Sequence, residues 1–396
     1  MSTATVVAPN RWLMLGVSMA AQVAGTIANN AAPFLITYLH LERGLSLTQA
    51  GLLASAPLVG TMVSLVAWGI LVDRLGERLC LTLGLAVVTA GSLAAAASSG
   101  YVALGLCFFL AGVGAASTNS ASGRLVVGWF PANRRGTAMG IRQTGLPLGV
   151  GAAALLVPQL ASHSGIGTTM VVVAGISAVA TVLCWLLVVD PPRPDRAAAI
   201  DDGTLVNPYR GDRTLVRIHA ASMLLVIPQF TVWTYMLVWL VDAKGWSAWA
   251  AGALVASTQL LGAAARIGVG AWSDRVGSRL RPMRQVAVAA SVTMLALGLL
   301  EPTFLAIGLI VLATAVTVAD NGLAFTAVAE IGGPFWSGKA MGWQNTGQYL
   351  VSAGVPPLVG ALVTERGYAV AFAAVAIFPL LAIGIVPVRR RDAVEA

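Results

Sequence analysis

Charged side chains inside long apolar stretches are the first candidates for chemistry in this chain. Arg142 and Arg266 each lie well inside such a stretch, and Asp320 lies inside a third. A charge at the centre of a bilayer costs about 3 to more than 10 kcal/mol, so one that is kept there usually faces a cavity and has a function. A guanidinium stays protonated and binds a carboxylate through two parallel hydrogen bonds. The two arginines therefore predict a binding site for an anion.

Asp320 has two interpretations. It could neutralise Arg142 or Arg266 in a structural ion pair, or it could carry a proton. Burial favours the neutral form of a carboxyl group and a nearby arginine favours the charged form, so anion binding could switch between them. We predict that Asp320 is the proton-coupling residue. Arg124 is a further candidate for a functional charge, and the weakest, because it could extend to the inner interface. Glu301 and Glu330 are expected to be surface charges at helix ends.

Polar amide side chains in the same apolar stretches complete the expected substrate site. Hydrogen bonding between helices is the alternative role for each of them, and we expect about half to touch solute. The predicted set is Gln22, Asn29, Asn119, Gln143, Gln229, Asn321, Gln344 and Asn345.

No metal or cofactor site is predicted. Cys80, Cys107 and Cys184 have no pair spacing and no neighbouring histidines, so we expect them to pack in the helices. His40, His163 and His219 lie at or near loop ends and are poor candidates for a proton relay, although His219 is kept as a candidate. The sequence has neither a phosphate-binding glycine loop nor a nucleophile elbow, so no enzyme is predicted.

The composition shows which elements must position these residues. Of 396 residues, 57% are hydrophobic and 10% are charged, and the mean hydropathy is +0.82. A helix needs roughly 20 apolar residues to cross a bilayer. We predict an all-α integral membrane protein with twelve transmembrane helices, at 12–39, 50–72, 79–98, 102–126, 137–161, 168–189, 216–241, 249–273, 283–300, 303–328, 340–363 and 368–388.

The net charge of +8 reflects topology rather than a nucleic-acid partner. Lys and Arg gather in alternate loops, which places those loops and both termini in the cytoplasm of a bacterium, with Arg389 to Arg391 among them. The outer side receives only Arg43, Lys244 and Arg366. Nothing at the N-terminus is typical of a cleaved signal peptide. We predict a multi-pass protein of the cytoplasmic (inner) membrane.

The two halves of the chain repeat each other. Residues 69–78 reappear as 270–279 and residues 136–145 as 338–347, each about 200 positions later. We predict two pseudo-symmetric six-helix bundles, at 1–189 and 216–396, joined by a cytoplasmic linker at 190–215. Halves of this kind enclose a midplane site that opens alternately to each side.

The first repeated motif combines glycines with charges at the predicted inner face. Such a cluster could form a conformational latch that breaks and reforms as the halves move. Setting orientation is the alternative role of its arginines. Its members are Gly69, Asp73, Arg74, Gly76 and Arg78 in the first copy, and Gly270, Asp274, Arg275, Gly277 and Arg279 in the second.

This motif resembles the signature between helices 2 and 3 of the major facilitator superfamily, and its second copy resembles the counterpart in the second half. With the twelve spans and the repeat, the resemblance extends from Trp12 to Val388 and implies a secondary transporter. Residues 123–140 are similar to anion-carrying branches of the superfamily. Residues 265–275 are similar to the monocarboxylate and oxalate branch, where an arginine in the position of Arg266 meets the substrate carboxylate.

The departures from the family patterns narrow the function. Nitrate carriers have an arginine in helix 2 where this chain has Leu65, and proton-driven drug exporters have one in helix 4 where it has Phe108. The export motif of helix 5 is only partly present at 145–151. We therefore predict a monomeric, proton-coupled symporter of a small organic anion without a cofactor. A proton-coupled efflux antiporter of drugs or metabolites is the alternative.

Overall fold

The structure, a computed structural model, describes residues 10–193, 205–210 and 212–388. Every regular element within these ranges is helical, because a helix satisfies its backbone N–H and C=O groups within one segment and needs no water to do so. Eight helical segments of the described residues are long and apolar enough to cross a membrane, and the longest contain more than one predicted span. The predicted Arg389 to Arg391, both chain termini, and residues 194–204 and 211 of the predicted linker lie outside the described residues.

The first seven helices include both local caps and a glycine break. Asn10 caps α1 by accepting a hydrogen bond from the Trp12 N–H, and Ser46 and Gln49 form a capping box at the start of α3. Gly165, with φ +77°, breaks α7. The helices are α1 (Arg11–Phe34), α2 (Ile36–Leu41), α3 (Leu47–Leu75), α4 (Glu77–Ala97), α5 (Tyr101–Trp129), α6 (Arg135–Gln143) and α7 (Gly145–Leu187), with a 3₁₀ turn at Ala132–Arg134.

Six further helices follow the predicted linker. Gly333 and Gly367, with φ +60° and +81°, interrupt the longest of them, α12, close to the boundaries predicted between three successive spans. The helices are α8 (Thr214–Asp242), α9 (Ala248–Val276), α10 (Leu280–Leu299), α11 (Leu305–Val316), α12 (Asp320–Val375) and α13 (Ile377–Ile385). The predicted all-α membrane fold is confirmed.

One predicted span is not a continuous helix. Within 303–328, α11 ends at Val316 and α12 begins at Asp320. Between them the Ala319 N–H donates to the Val316 carbonyl at 3.3 Å and the Asn321 N–H to the Val318 carbonyl at 3.4 Å, three residues back rather than four. A tight stretch of this kind inside a helix often marks a functional hinge. It places Asp320 at the first position of α12.

The chain groups into two compact units. The first consists of Met1–Pro131 and Gly145–Asp195, and its core includes Leu35, Phe108 and Met170. The second consists of Ala132–Thr144 and Arg196–Ala396, and its core includes Trp239 and Phe372. Helix α6 therefore belongs with the second unit, although it lies in the range predicted for the first bundle. The predicted division at 190–215 stays a prediction.

Candidate functional site

Glycines bring three helices of the second unit into backbone contact. A Cβ atom on Gly270 of α9 would lie 2.2 Å from the carbonyl oxygen of Gly136 in α6. A Cβ on Gly140 would lie 2.5 Å from the carbonyl oxygen of Arg266, and one on Gly322 of α12 would lie 3.6 Å from the Cα of Gly140. Small residues permit such approaches between membrane helices. The contacts join the helices that carry Arg142, Arg266 and Asp320.

Arg266 and Asp320 are buried and interact electrostatically. Arg266 is 2% exposed and Asp320 is 1% exposed. Each of the two charges interacts electrostatically with the other. No direct ion pair joins them among the described residues. The Arg266 Nε and the Asp320 Oδ2 also lack hydrogen-bond partners there. Buried polar groups are rarely left unsatisfied, so these two atoms are available to hydrogen-bond a ligand or water.

Arg142 is also buried, 2% exposed, but its guanidinium has close protein neighbours. It donates a hydrogen bond to the Oε1 of the adjacent Gln143 at 2.9 Å, and it lies 5.9 Å from the ring centroid of Phe325. It also interacts electrostatically with Tyr349. Phe325 and Tyr349 were not predicted from the sequence, because an aromatic residue in an apolar stretch is ordinarily a packing residue.

Two of the predicted amides of the second unit, Asn321 and Gln229, are joined to each other, and Gln348, which is not in the predicted set, adds further contacts. Asn321 donates to the Oε1 of Gln229 at 3.0 Å, and Gln348 donates to the Ser222 hydroxyl at 2.6 Å and to Asn321 at 3.5 Å. Asn345 donates to the Met341 carbonyl of its own helix at 2.8 Å. These contacts link α8 to α12. The sequence indicated the polar residues but not which of them pair.

Gln344 belongs to a separate chain of hydrogen bonds. The Tyr209 hydroxyl lies 2.9 Å from the Nε2 of His219, and the Nδ1 of His219 bonds to the Oε1 of Gln344. Burial raises the pKa of Tyr209 to about 12, so its hydroxyl stays protonated and can donate. Because the amide oxygen only accepts, His219 is then the neutral tautomer with its proton on Nδ1. The Nε2 of Gln344 is buried without a partner among the described residues.

The predicted amides of the first unit connect its helices. Gln22 donates to the Oδ1 of Asn119 at 3.3 Å. Asn29 donates to the Thr61 hydroxyl at 2.9 Å, and that hydroxyl contacts the Asn29 Oδ1 and the Gly112 carbonyl. Both polar atoms of the Asn29 side chain are therefore satisfied by α3. This contact corresponds to the interhelical role that the sequence left open.

The second copy of the repeated motif forms a charge cluster at the start of α6. Asp274 accepts from the backbone N–H groups of Gly136 at 2.9 Å and Thr137 at 2.8 Å, so its carboxylate caps the helix. Arg279 donates to Asp274 at 2.6 Å and to Glu330 at 3.2 Å. Glu330, which also lies 3.5 Å from Arg135, is not the free surface charge that the sequence suggested. A cavity of about 640 Å³ adjoins this cluster.

The first copy has a different set of partners. Glu77, fully buried, pairs with Arg124 at 3.1 Å and with Arg193 at 3.1 Å. Asp73 lies 3.9 Å from Arg124. Arg124 does not take the alternative of extending to the interface, because two carboxylates hold it inside the protein. The sequence could have indicated Glu77 only through its position directly after the motif glycine.

The other motif residues lie around these two clusters. The Arg78 N–H donates to the Asp190 carboxylate at 2.7 Å and its guanidinium to the Trp185 carbonyl, whereas Arg74 and Arg275 are exposed. Gly76 has φ +99° and Gly277 φ +67°, a conformation that favours glycine. The role of Gly69 stays a prediction.

Glu301, expected to be a surface charge, is part of a third cluster. It accepts a hydrogen bond from the Trp239 Nε1 at 2.8 Å and pairs with Lys244 at 3.1 Å. The ammonium of Lys244 also lies 5.0 Å from the Trp239 ring centroid. One of the few basic residues predicted outside is thus neutralised by a carboxylate.

A helical membrane bundle with buried arginines and an internal carboxylate is typical of secondary transporters. The chain belongs to the Major Facilitator Superfamily, whose family model matches residues 14–356. It is therefore a multi-pass membrane transporter of a small solute.

Known relatives and solved structures agree with this assignment. The chain is 45% identical over 381 residues to an uncharacterised MFS-type transporter of Mycobacterium tuberculosis. The aligned region covers 96% of this chain and 85% of the relative. It is 31% identical to a probable chloroplastic anion transporter of Arabidopsis thaliana, over 48% of this chain and 36% of the relative. It is 29% identical to a hexuronate transporter of Bacillus subtilis, over 41% of this chain and 38% of the relative.

Two solved structures share the fold. The proton:xylose symporter XylE matches with a TM-score of 0.76 and 14% identity over 94% of both chains. The human organic anion transporter MFSD10 matches with a TM-score of 0.74 and 17% identity, over 96% of this chain and all of that one.

Proposed function

We propose that this transporter is a proton-coupled symporter of a small organic anion. The observation that carries the proposal is the pair formed by Arg266 and Asp320, both buried, with the Arg266 Nε and the Asp320 Oδ2 left without hydrogen bonds among the described residues. We place the transporter, as a monomer, in the cytoplasmic membrane of a bacterium with both termini inside. This topology is supported by the distribution of Lys and Arg.

The buried guanidinium of Arg266 favours an anionic solute. A carboxylate would satisfy its free Nε–H together with a neighbouring N–H in a bidentate contact. Arg142, on the helix that crosses α9 at Gly140, is proposed as the second anion-binding group. The partial similarity to an anion transporter and to a hexuronate transporter supports the same class of solute.

Asp320 supports coupling to a proton. An ionised Asp320 and a bound carboxylate would be two negative charges beside the single cation of Arg266, and like charges that close disfavour joint ionisation. Binding of the anion therefore favours a protonated Asp320. Release of the anion restores the interaction of Arg266 with ionised Asp320, so the proton leaves with the solute.

The two charge clusters are proposed as latches between conformational states. In the second cluster, Asp274 and Arg279 contact the start of α6. In the first, Arg124 of α5 pairs with Glu77 and donates to the Val72 carbonyl at the end of α3. Charge networks with two discrete arrangements suit alternating access. Efflux of drugs, the alternative from the sequence, has less support, because Phe108, which stands where exporters have an arginine, packs in the apolar core of the first unit.

Uptake into proteoliposomes with an acid exterior tests the proposal. The purified chain should accumulate a labelled carboxylate from a panel of L-lactate, D-glycerate and D-glucuronate. Arg266→Gln should lower that uptake about a hundredfold, because it removes charge-assisted hydrogen bonds worth about 3 kcal/mol. Arg284→Gln, at an exposed arginine of α10, is the matched control. Uptake of lipophilic cations instead of carboxylates, or full activity of Arg266→Gln, would refute the proposal.

A further inference from the structure

Gly262 lies one helical turn before Arg266 on α9 and is buried. A Cβ atom added there would lie 3.4 Å from the Cγ2 of Val318, 3.8 Å from the carbonyl oxygen of Thr314 and 3.9 Å from the Nη1 of Arg266. These are ordinary van der Waals distances, so a methyl group would fit. A longer side chain would have to occupy the space beside the Arg266 guanidinium or displace Val318.

Neither helix packing nor backbone conformation requires a glycine at position 262. Gly136, Gly140 and Gly270 leave no room for a Cβ atom, which would lie within 2.5 Å of a backbone oxygen. Gly262 has no such contact, and its φ is not positive. Glycine within a helix costs about 1 kcal/mol relative to alanine. What the missing side chain does provide is space beside the guanidinium of Arg266.

Gly262 lies against the end of α11 and the stretch that joins α11 to α12. The carbonyl oxygen of Thr314, in the last turn of α11, lies 3.8 Å from the added Cβ, and in the stretch that follows, the hydrogen bonds of Ala319 and Asn321 span three residues rather than four. A group placed at the Cβ position of residue 262 would therefore lie near both a guanidinium donor and a carbonyl acceptor. A carboxylate that carries a hydroxyl on its α-carbon has the matching acceptor and donor on adjacent atoms.

We propose that Gly262 is a specificity-determining residue that admits 2-hydroxycarboxylates. The carboxylate binds Arg266 and the 2-hydroxyl donates to the Thr314 carbonyl, in the space that a side chain at position 262 would fill. This inference rests on the proposed anion transport and names the class of anion. Gly262 acts by the absence of a side chain, and a bulkier residue selects against the substituted α-carbon.

Competition between two matched anions tests this specificity. D-glycerate and 3-hydroxypropionate differ by the 2-hydroxyl, and wild-type uptake should favour D-glycerate by about tenfold, as expected for one hydrogen bond of about 1.4 kcal/mol. Gly262→Ala should reduce this preference, and Gly262→Leu should abolish uptake of D-glycerate. Gly268→Leu is the control, because a Cβ at that exposed glycine of α9 meets no atom within 4 Å. An unchanged preference in Gly262→Leu would overturn the inference while leaving carboxylate transport intact.

A second experiment does not depend on the substrate. In a chain with Cys80, Cys107 and Cys184 replaced by alanine, Arg266→Cys should react with a small methanethiosulfonate reagent. Adding Gly262→Leu should slow the reaction at least tenfold, whereas adding Gly268→Leu should not. Equal rates in all three backgrounds would show that position 262 does not line the approach to residue 266. If the wild-type chain transports no carboxylate, the proposed function fails on the uptake assay alone.

Discussion

The carboxylate of Asp274 accepts hydrogen bonds from both the backbone N–H and the hydroxyl of Thr137, at 2.8 and 2.7 Å. The two residues lie 137 positions apart in the chain. Their contact attaches the second copy of the repeated motif to the first turn of α6, the helix that carries Arg142. A change in the motif can therefore act on the proposed anion site through α6.

Asp274→Asn tests this connection. The amide keeps the shape of the side chain but loses the charge that favours the N-terminus of α6 and the ion pair with Arg279, together worth about 1.5–3 kcal/mol. We expect the rate of solute uptake in proteoliposomes to fall by about tenfold to a hundredfold. Thr137→Val, which removes only the hydroxyl contact, should have a smaller effect. Wild-type rates in Asp274→Asn would contradict a role for the cluster in transport.

Gly270→Ala tests the contact between α6 and α9. The added methyl group would lie 2.2 Å from the Gly136 carbonyl oxygen, so the helices must separate. Overpacking of this kind costs about 1–3 kcal/mol. We expect a lower melting temperature of the purified protein in detergent. Gly268→Ala, where the space is open, should melt like the wild type or slightly higher, and equal melting of both variants would contradict the contact.

Glu77→Gln tests the buried charges of the first unit. The substitution removes the carboxylate that the buried Arg124 shares with the partly exposed Arg193 and leaves Asp73, 3.9 Å away, beside Arg124. Breaking a buried ion pair from one side costs about 3–5 kcal/mol. We expect a large drop in melting temperature and poor recovery from the membrane. The exposed Glu42→Gln serves as the comparison. A second substitution, Arg124→Met, should restore part of the lost stability because it removes a buried charge whose closest carboxylate has been lost.

Asp320→Asn tests the coupling to protons. An amide resembles the protonated carboxyl, so exchange of labelled for unlabelled anion should persist and become independent of pH. Accumulation driven by an acid exterior should be lost, because the side chain can no longer release a proton. In the wild type, uptake should rise as the external pH falls. Glu365→Gln, at an exposed position, should behave like the wild type.

A variant of Asp320 that still accumulates the anion against its gradient in response to external acid would rule out this residue as the proton carrier. His219 is then the next candidate, since its hydrogen bond to Gln344 connects it to α12.

The sequence by itself determined the class of fold and the positions of the charges along the helices. Apolar length, glycine breaks and the repeated motif are local properties of the chain, so spans, the repeat and the family could be predicted without coordinates. The same local signals identified Arg142, Arg266 and Asp320, because a charge in an apolar stretch is visible in the sequence.

Only the tertiary structure decided which of these groups meet. Arg124 pairs with Glu77, and Glu330 pairs with Arg279. Both polar atoms of the Asn29 side chain form hydrogen bonds with Thr61. Nothing in the sequence near these residues distinguishes them from their neighbours. The space beside Arg266 likewise depends on Thr314 and Val318, which lie at the end of α11 and in the stretch after it. Such contacts join residues far apart in the chain, and hydropathy and spacing describe only residues that are near.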